Sequence, residues 1–238
     1  MVYFTGDIHG SSNEIVKLCE QYELAAADTV VLLGDVGSNF FLDERDRKLK
    51  AELSRLKPTI LCIHGNHEVR PANVPSYITK EWNGGSVWYE EEFPNILFAK
   101  DGDIYSLESI SYLAIGGAYS VDKYYRLARG YGWWEDEQPS DEIKAYVERQ
   151  IGEKHFDVIL THTCPFKYEP IEMFLPMIDQ STMDASTELW LDKIEEMTEY
   201  KAWFCGHWHI DKRIEKMHFL FHGVESAEQF HEGGDVNS

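Results

Sequence analysis

The stretch VYFTGDIHG at residues 2–10 sets the pattern of the whole chain. The apolar and β-branched run from Val2 to Thr5 predicts a short strand, and a glycine separates it from the polar side chains of Asp7 and His9. In open α/β sheets, ligands bind in the crevice outside the carboxyl ends of the strands. The stretch therefore predicts a strand of such a sheet and the start of a candidate site.

Two further strands are predicted downstream, with helices between them. Thr29 to Leu33 and Thr59 to His64 are apolar or β-branched runs, while residues 13–23 and 43–56 have the spacing of helices. Strands and helices that alternate in this way predict βαβαβ units and a parallel sheet.

The rest of the chain has a different pattern. Short strands between Gly85 and Ala118, separated by Asn, Gly and Asp, predict an antiparallel meander. Helices are predicted over residues 141–153, with Ser140 as N-cap, and over Thr187 to Met197, and the polar tail from Glu228 is expected to be frayed. The strands predicted in this part are Ser86 to Tyr89, Ile96 to Ala99, Asp103 to Leu107, Ser111 to Ile115, Val158 to Thr161, Ala202 to Cys205, Lys212 to Glu215 and Phe219 to Phe221.

Length and composition fit a single domain over residues 1–238. The 238 residues are 43% apolar, which is enough for one substantial core. Two inserts, residues 120–139 and 165–186, lack clear periodicity. They are either packed loops or, because long aromatic loops beside strand ends often contact ligands, parts of a substrate cleft.

Charge and apolar patterning restrict the function classes. The formal charge of −20, from 42 acidic and 22 basic residues, argues against extended nucleic acid as a partner, because such binding depends on Lys and Arg at the phosphates. The chain shows neither a secretion signal nor an apolar stretch near the roughly 20 residues that span a bilayer, so we expect a soluble, cytoplasmic protein without membrane contact. The four cysteines form no CxxC pair and are expected to be reduced core residues.

Five polar clusters follow five predicted strands, which points to one shared site. Side chains two positions apart on an extended segment point the same way, so Asp7 with His9, and His207 with His209, can each face one centre. Imidazole and carboxylate together suit Zn, Fe, Mn or Ni better than calcium. The clusters, in chain order, are GDIHG with Asp7 and His9, GD with Asp35, GNHE with Asn66 and His67, the single His162, and GHWH with His207 and His209.

Each cluster alone is a weak signal, because a single DxH or GD is more often a structural turn. Five of them in order at five strand ends are a strong signal. His64, at a strand end beside GNHE, is expected to support a ligand from behind. The other histidines are expected on the surface or in packing: His155, His218, His222 and His231.

The order DxH, GD, GNHE, H, GHxH resembles the calcineurin-like metallophosphoesterase superfamily over residues 5–209. The stretches GGAYSVDKYYR at residues 116–126 and WWEDEQPS at residues 133–140 resemble segments of its small bacterial and phage members. The resemblance implies an α/β fold: a four-layer α/β/β/α sandwich of two mixed sheets flanked by helices. It also implies two divalent or trivalent transition-metal ions, Mn, Fe, Zn or Ni. By position, Asp7, His9 and His209 would hold one ion, Asn66, His162 and His207 the other, and Asp35 would bridge them.

The reaction implied is phosphoester hydrolysis by a hydroxide that bridges the two ions. Two ions roughly 3.5 to 4 Å apart can activate a shared water and clamp the phosphoryl oxygens. Asp35 suits bridging because a carboxylate has two oxygens, and neutral Asn66 adds no further negative charge against an anionic substrate. His67 resembles the family's general acid, which protonates the leaving oxygen.

The second motif departs from the protein phosphatase branch of the superfamily. That branch has GDxxDRG, whereas residues 34–40 here are GDVGSNF, so the orienting carboxylate and the phosphate-binding arginine are missing from the motif. Another cation must then meet the phosphate, and the candidates are Arg70, Lys123, Arg126 and Arg129. Tyr119, Asp122 and Trp134 either line the substrate cleft or belong to a packed aromatic loop.

These features favour a hydrolase of a small phosphodiester or nucleotide-like compound. The alternative is a phosphomonoesterase, including a serine/threonine protein phosphatase. A protein that uses the site only as a scaffold for a partner would be expected to have lost ligands or His67, and every position is filled. The oligomeric state is left open by the sequence.

Overall fold

A computed structural model describes residues 1–174 and 182–230 as two sheets with helices packed outside them. The helices are α1 (Asn13–Gln21), α2 (Glu44–Leu53), α3 (Lys123–Arg129), α4 (Asp141–Glu153) and α5 (Ser186–Glu196). The strands are β1 (Val2–Thr5), β2 (Thr29–Leu32), β3 (Thr59–Cys62), β4 (Ile78–Trp82), β5 (Gly85–Tyr89), β6 (Ile96–Ala99), β7 (Ile104–Leu107), β8 (Ile110–Ile115), β9 (Val158–Thr161), β10 (Ala202–Cys205), β11 (Lys212–Ile214), β12 (Met217–Phe219) and β13 (Glu225–Ser226).

Both sheets have a parallel centre and antiparallel edges. The 7-stranded sheet has the order β13-β1-β2-β3-β6-β5-β4, in which β1, β2, β3 and β6 run parallel. The 6-stranded sheet has the order β11-β12-β10-β9-β8-β7, in which β12, β10, β9 and β8 run parallel. The predicted parallel sheet and the two mixed sheets are therefore confirmed.

The alternation of side chains along each strand produces the layers. Phe4 of β1 points inward and stacks on Phe204 of β10, with ring centroids 4.3 Å apart, in the core between the sheets. Val30 of β2 points outward and joins the core formed with α1 and α2. Trp203 of β10 also points outward, into the core formed with α4 and α5. Successive strand residues face opposite sides, so each sheet is covered on both faces and the predicted α/β/β/α sandwich is confirmed.

The helix boundaries follow local capping chemistry. Ser140 accepts a hydrogen bond from the Ile143 N–H, as expected for an N-cap, and Asp43 does the same for α2 through the Arg45 N–H. Gly130 ends α3 with φ of 69°, a left-handed conformation that glycine adopts without a steric penalty.

The predicted meander is wrong at its middle. Strands β4, β5 and β6 are antiparallel neighbours, but β6 also lies parallel to β3, and β7 and β8 form a hairpin in the other sheet. The chain changes sheets after Ala99, where the Gly102 N–H donates to the carbonyl of Ala114. Period-two alternation identifies a strand but does not identify its partner, so the sequence could not predict this crossing.

Smaller differences concern the inserts and the last strands. The 120–139 insert contains α3, which its weak periodicity did not predict. Strands β4 and β13 were not predicted, and the strand expected at Phe219 to Phe221 lies at Met217–Phe219. Part of the 165–186 insert, residues 175–181, and the tail from 231 onward lie outside the described residues.

The cysteine thiols and the lengths of the helices bear on two further expectations from the sequence. All four cysteines lie in the described part of the chain as free thiols, and Cys62, Cys164 and Cys205 are buried, as predicted. Among the helices of residues 1–174 and 182–230, none has the length and apolar character that crossing a bilayer requires.

Candidate metal centre

The carboxyl ends of the parallel strands in both sheets meet at one edge of the sandwich. Asp7 follows β1, Asp35 follows β2 and Asn66 follows β3 in the first sheet. His162 follows β9, and the GHWH segment follows β10, in the second sheet. The two sheets therefore contribute to one cluster, as the crevice rule for α/β sheets predicts.

The backbone at this edge is held in an uncommon conformation. His9, Asp35, His207 and His209 have φ values of 42°, 45°, 65° and 51°, in the left-handed region that residues other than glycine rarely occupy. Histidine and aspartate tolerate this region better than most residues. Such conformations are concentrated at functional sites, where the surrounding fold compensates for the strain.

Two glycines allow the candidate ligands to approach one another. A Cβ on Gly34, which has φ of 104°, would lie 2.0 Å from Nδ1 of His162. A Cβ on Gly65 would lie 2.1 Å from the Asp35 carboxylate. Any side chain at either position would displace a candidate ligand, so glycine is required by packing as well as by conformation.

Asp7, His9 and His209 form the first group of candidate ligands. Nε2 of His9 and Nε2 of His209 lie 2.8 Å apart, and Oδ2 of Asp7 lies 3.7 Å and 3.3 Å from them. Within the described part of the chain, this buried Oδ2 has no hydrogen-bond donor, while Oδ1 accepts the His207 N–H at 2.9 Å. Three electron-pair donors thus converge at a point where a cation would satisfy all of them.

His162 is the centre of the second group. Its Nδ1 lies 2.7 Å from the carbonyl oxygen of Leu33, which can only accept, so Nδ1 carries the proton and Nε2 has a free lone pair. That lone pair faces Oδ1 of Asn66 at 2.9 Å and Oδ1 of Asp35 at 3.4 Å. A lone pair that faces two acceptor oxygens is unfavourable unless a cation lies among them. The residues present therefore fit a metal ion here as well.

Asp35 lies between the two groups. Its carboxylate oxygen lies within 4.8 Å of donor atoms of Asp7 and His162, and also within 4.8 Å of donor atoms of His9 and His67. Burial acts to raise the pKa of Asp35, but the imidazoles of His162, His67 and His9 together outweigh it and lower the pKa to about 2. Asp35 is therefore ionised at neutral pH, as a bridging ligand has to be.

His207 completes the cluster. Its ring lies against that of His162, with centroids 4.9 Å apart, and burial holds its pKa well below the usual range. The imidazole is therefore neutral and able to donate a lone pair. His64, expected behind the ligands, is a buried residue whose ring nitrogens have no hydrogen-bond partner among the described residues. Of the histidines expected outside the site, His155 and His222 are exposed and His218 is buried against Glu225, while His231 lies outside the described residues.

His67 lies at the open side of the cluster. Its backbone N–H donates to Oδ1 of Asp35 at 2.8 Å, and its ring lies 5.6 Å from that of His9. Nε2 of His67 is 3.8 Å from Oδ1 of Asp122, which precedes α3. The GDVGSNF motif lacks the orienting carboxylate of the protein phosphatases, and the 120–139 insert places a carboxylate beside His67.

The four predicted cations differ in their surroundings. Arg126 is only 2% exposed, and its Nη1 lies 3.7 Å from Oδ1 of Asp122, beside His67. Arg70 is paired with Asp101 at 2.5 Å and also donates to the carbonyl of Asp136. Lys123 and Arg129 lie over the rings of Trp133 and Tyr125 respectively. Arg126 is thus the cation that the structure places beside the candidate acid, and the roles of the other three remain predictions.

The sequence of this chain matches one known protein family. The sequence model of the family described as calcineurin-like phosphoesterase matches residues 1–211. The chain belongs to this family. It is accordingly a metal-dependent phosphoric ester hydrolase, with metal ions as cofactors and a phosphoester as substrate. No curated protein sequence matches the chain significantly.

Two solved structures resemble this family member weakly. The phosphopantetheinyl hydrolase PptH from Mycobacterium tuberculosis is 14% identical, over 92% of this chain and 87% of that chain, with a TM-score of 0.46. The protein of unknown function AQ665 from Aquifex aeolicus is 13% identical, over 71% of this chain and 81% of that chain, with a TM-score of 0.29. The family assignment therefore rests on the sequence match and not on these structures.

Two residues beside the candidate ligands could not be predicted from the sequence. Ser120 donates to Glu137 and accepts from Asn66, yet neither Ser120 nor Glu137 belongs to the five clusters of candidate ligands. Asn66 and Ser120 are 54 positions apart, and no spacing rule connects them. Their neighbours Asp122 and Arg126, by contrast, are candidates from the sequence, the first for the cleft or a packed loop and the second for the phosphate.

Proposed function

We propose that this family member holds two transition-metal ions and hydrolyses a small phosphodiester or nucleotide-like compound. The observation that carries the proposal is the position of Asp35, whose carboxylate lies within 4.8 Å of donor atoms on both sides of the cluster. A carboxylate has two oxygens, so one residue in this position can serve two ions.

The side chains divide into two sets around Asp35. Asp7, His9 and His209 would hold one ion, and Asn66, His162 and His207 the other. Mn, Fe, Zn and Ni all suit these nitrogen and oxygen donors. When bound, such ions supply a water that is ionised near neutral pH and neutralise charge on the phosphoryl oxygens.

The protein residues supply the proton and part of the positive charge. His67 protonates the leaving oxygen, and Asp122, 3.8 Å from its Nε2, orients the ring and stabilises its protonated form. Arg126 supplies a fixed positive charge beside them. Because Arg126 is buried and always ionised, water screens its charge poorly, and the charge can act on a phosphate bound at the cluster.

Charge and aromatic side chains favour a small nucleotide-like substrate. The net charge of −20 opposes a long polyanion, whereas a single phosphoester can be neutralised locally. Tyr124 and Tyr125 on α3 are 70% and 56% exposed, close in sequence to Asp122 and Arg126. Exposed aromatic rings next to a phosphate site can stack on a nucleobase.

A substrate and metal panel tests the proposal. Protein purified without chelators is analysed for metal and then assayed on bis(p-nitrophenyl) phosphate and p-nitrophenyl phosphate with Mn, Zn, Ni or Fe. We expect two ions per chain and faster turnover of the diester. Preference for the monoester would instead favour a phosphomonoesterase, including a protein phosphatase.

The bridging role has a matched test. Asp35→Asn should weaken binding of both ions, because the neutral amide offers a single oxygen. Asp157→Asn is the control, since Asp157 precedes β9, at the end of the sheet away from the cluster, where it accepts bonds from Ser111. If Asp35→Asn retained two ions with unchanged affinity, Asp35 would not be a bridging ligand.

A further inference from the structure

The orientation of the Asn66 amide is decided by a residue outside the ligand set. Nδ2 of Asn66 lies 2.9 Å from Oγ of Ser120, and Oδ1 lies 2.9 Å from Nε2 of His162. Only Oδ1 can bind a cation, because the amide nitrogen has no available lone pair. A rotation of the amide by 180° would turn the NH₂ group toward the centre and remove a ligand.

The hydrogen bonds of Ser120 prevent this rotation. Its hydroxyl has one proton and two lone pairs, and three groups surround it: Asn66, Arg126 and Glu137. Arg126 can only donate, and its Nη1 lies 3.1 Å from Oγ. Glu137 accepts the backbone N–H of Ser120 through Oε1 at 3.0 Å and the hydroxyl through Oε2 at 2.5 Å. The remaining lone pair of Oγ is left for a donor, which is the NH₂ group of Asn66.

This arrangement is well protected from water. Asn66, Ser120, Arg126 and Glu137 are each no more than 2% exposed. Water therefore does not compete for these bonds, and the direction of each donor is set by its neighbours. Burial raises the pKa of Glu137, whereas the hydrogen bonds from Ser120 and the charge of Arg126 act to lower it; in its ionised form Glu137 can only accept.

We propose that Ser120, fixed by Glu137 and Arg126, is a positioning residue that keeps the oxygen of Asn66 turned toward the metal centre. This inference rests on the proposed function, because it takes Asn66 as a ligand. It gives the 120–139 insert a role that the motifs do not contain: the insert supplies the hydrogen bonds that orient a ligand on β3's carboxyl end.

Glu137→Gln tests the proposal because it replaces one acceptor oxygen with an NH₂ donor and keeps the shape of the side chain. The oxygen of Gln must face the Ser120 N–H, so its NH₂ group must face Oγ. Oγ would then meet three donors with two lone pairs. Ser120 Oγ can be fully hydrogen-bonded only if the Asn66 amide rotates. Its oxygen then accepts from the Ser120 hydroxyl, and its own NH₂ group faces the metal centre.

The readout is metal affinity measured with Mn²⁺ alone. Wild type should bind two ions per chain and show the EPR signal of a coupled pair. Glu137→Gln and Ser120→Ala should lower the affinity for the ion that Asn66 would hold by about 10- to 100-fold, the usual effect of losing a residue that orients a ligand. Both variants should then give the signal of an isolated ion. Turnover at saturating substrate should fall with the loss of the coupled signal.

The matched controls copy the same contact at the far end of the sheet. Ser111 donates both its N–H and its hydroxyl to Asp157, as Ser120 does to Glu137, but it lies at the start of β8, away from the cluster. Ser111→Ala and Asp157→Asn should therefore bind two ions with wild-type affinity. Equal losses in the controls would mean general destabilisation and would overturn the inference.

The outcomes separate this inference from the proposed function. If wild type binds no pair of ions, the proposed function fails. If wild type binds the pair and both Glu137→Gln and Ser120→Ala also bind it with unchanged affinity, only the positioning role fails. Near-UV circular dichroism of the metal-free proteins checks folding, and if Glu137→Gln does not fold, Ser120→Ala decides by the same measurement.

Discussion

Single hydrogen bonds decide what each candidate ligand can do. The carbonyl oxygen of Leu33 accepts a hydrogen bond from the Nδ1–H of His162, so Nε2 keeps a free lone pair for a cation. The His207 N–H occupies one oxygen of Asp7 and leaves the other without a donor among the residues that the structure describes. These buried, incompletely bonded atoms lower the stability of the metal-free fold, because a buried polar atom without a partner costs about 1–3 kcal/mol. A bound cation would offset that cost.

His67→Ala tests the acid role at the level of one residue. The His67 side chain is outside the proposed ligand set, and the variant keeps the backbone N–H that donates to Asp35, so we expect it to retain its metal. Turnover of esters with poor leaving groups should fall by about 10²- to 10⁴-fold, the usual contribution of a general acid, while p-nitrophenyl esters should lose less.

The control for this experiment is His155→Ala, an exposed position beyond the cluster. It should have wild-type turnover on both kinds of substrate. Wild-type rates of His67→Ala on an alkyl phosphodiester would exclude His67 as the acid.

Glu188 of α5 gives a prediction about pH. Burial raises the pKa of this carboxyl to about 7, so the folded state holds a proton that the unfolded state has released above its usual pKa of about 4.5. The folded state binds more protons between these values, so Glu188 makes the free energy of unfolding fall as pH rises from about 4.5 to about 7. The loss is on the order of 3 kcal/mol and is complete above pH 7.

Urea unfolding of the metal-free proteins at pH 4.5 and pH 8 measures the effect. Glu188→Gln should be more stable than wild type at pH 8 and nearly equal to it at pH 4.5. Glu199→Gln, at an exposed position, should show no such difference between the two pH values. A Glu188→Gln advantage that did not change with pH would contradict the prediction.

At the scale of elements, local chemistry predicted most of what the structure contains. Strands β1, β6 and β9 and helix α4 lie where the sequence placed them, because apolar alternation and the Ser140 cap are local signals. Helix α3 was not predicted, since its residues Tyr124, Tyr125 and Leu127 are exposed and show no apolar face. The meander failed for a related reason: strand pairing is a long-range property that the periodicity of a strand does not contain.

Ser140→Ala tests how far the N-cap stabilises α4. Loss of the bond to the Ile143 N–H should lower the free energy of unfolding by about 1 kcal/mol. Ser140→Asp keeps an acceptor at the cap and should restore most of the stability. Denaturant titration followed by circular dichroism gives both values, and equal stability of Ser140→Ala and wild type would mean that the cap contributes nothing.

At the scale of the whole molecule, the site depends on the packing of two sheets. Asp7, Asp35 and Asn66 come from one sheet, and His162, His207 and His209 come from the other. That these side chains would lie close together could be predicted, because each follows the carboxyl end of a predicted strand. Contacts such as Asn66 to Ser120, and Asp122 to His67, could not, because they join segments that only the complete fold brings together.

This division of the candidate ligands between the two sheets predicts that metal binding stabilises the whole sandwich. An ion held by residues of both sheets is lost when the sheets separate, so it binds the folded state and not the unfolded chain. At a free Mn²⁺ concentration 100-fold above the dissociation constant, each site should add about 2.7 kcal/mol to the free energy of unfolding. Addition of EDTA should reverse the gain and lower the melting temperature. Asp35→Asn, which lacks the carboxylate between the two groups, should show a much smaller shift, while Asp157→Asn should respond as wild type does. Equal Mn²⁺-dependent shifts in wild type and Asp35→Asn would mean that the ions bind elsewhere on this acidic surface, and that the two sheets are not joined through them.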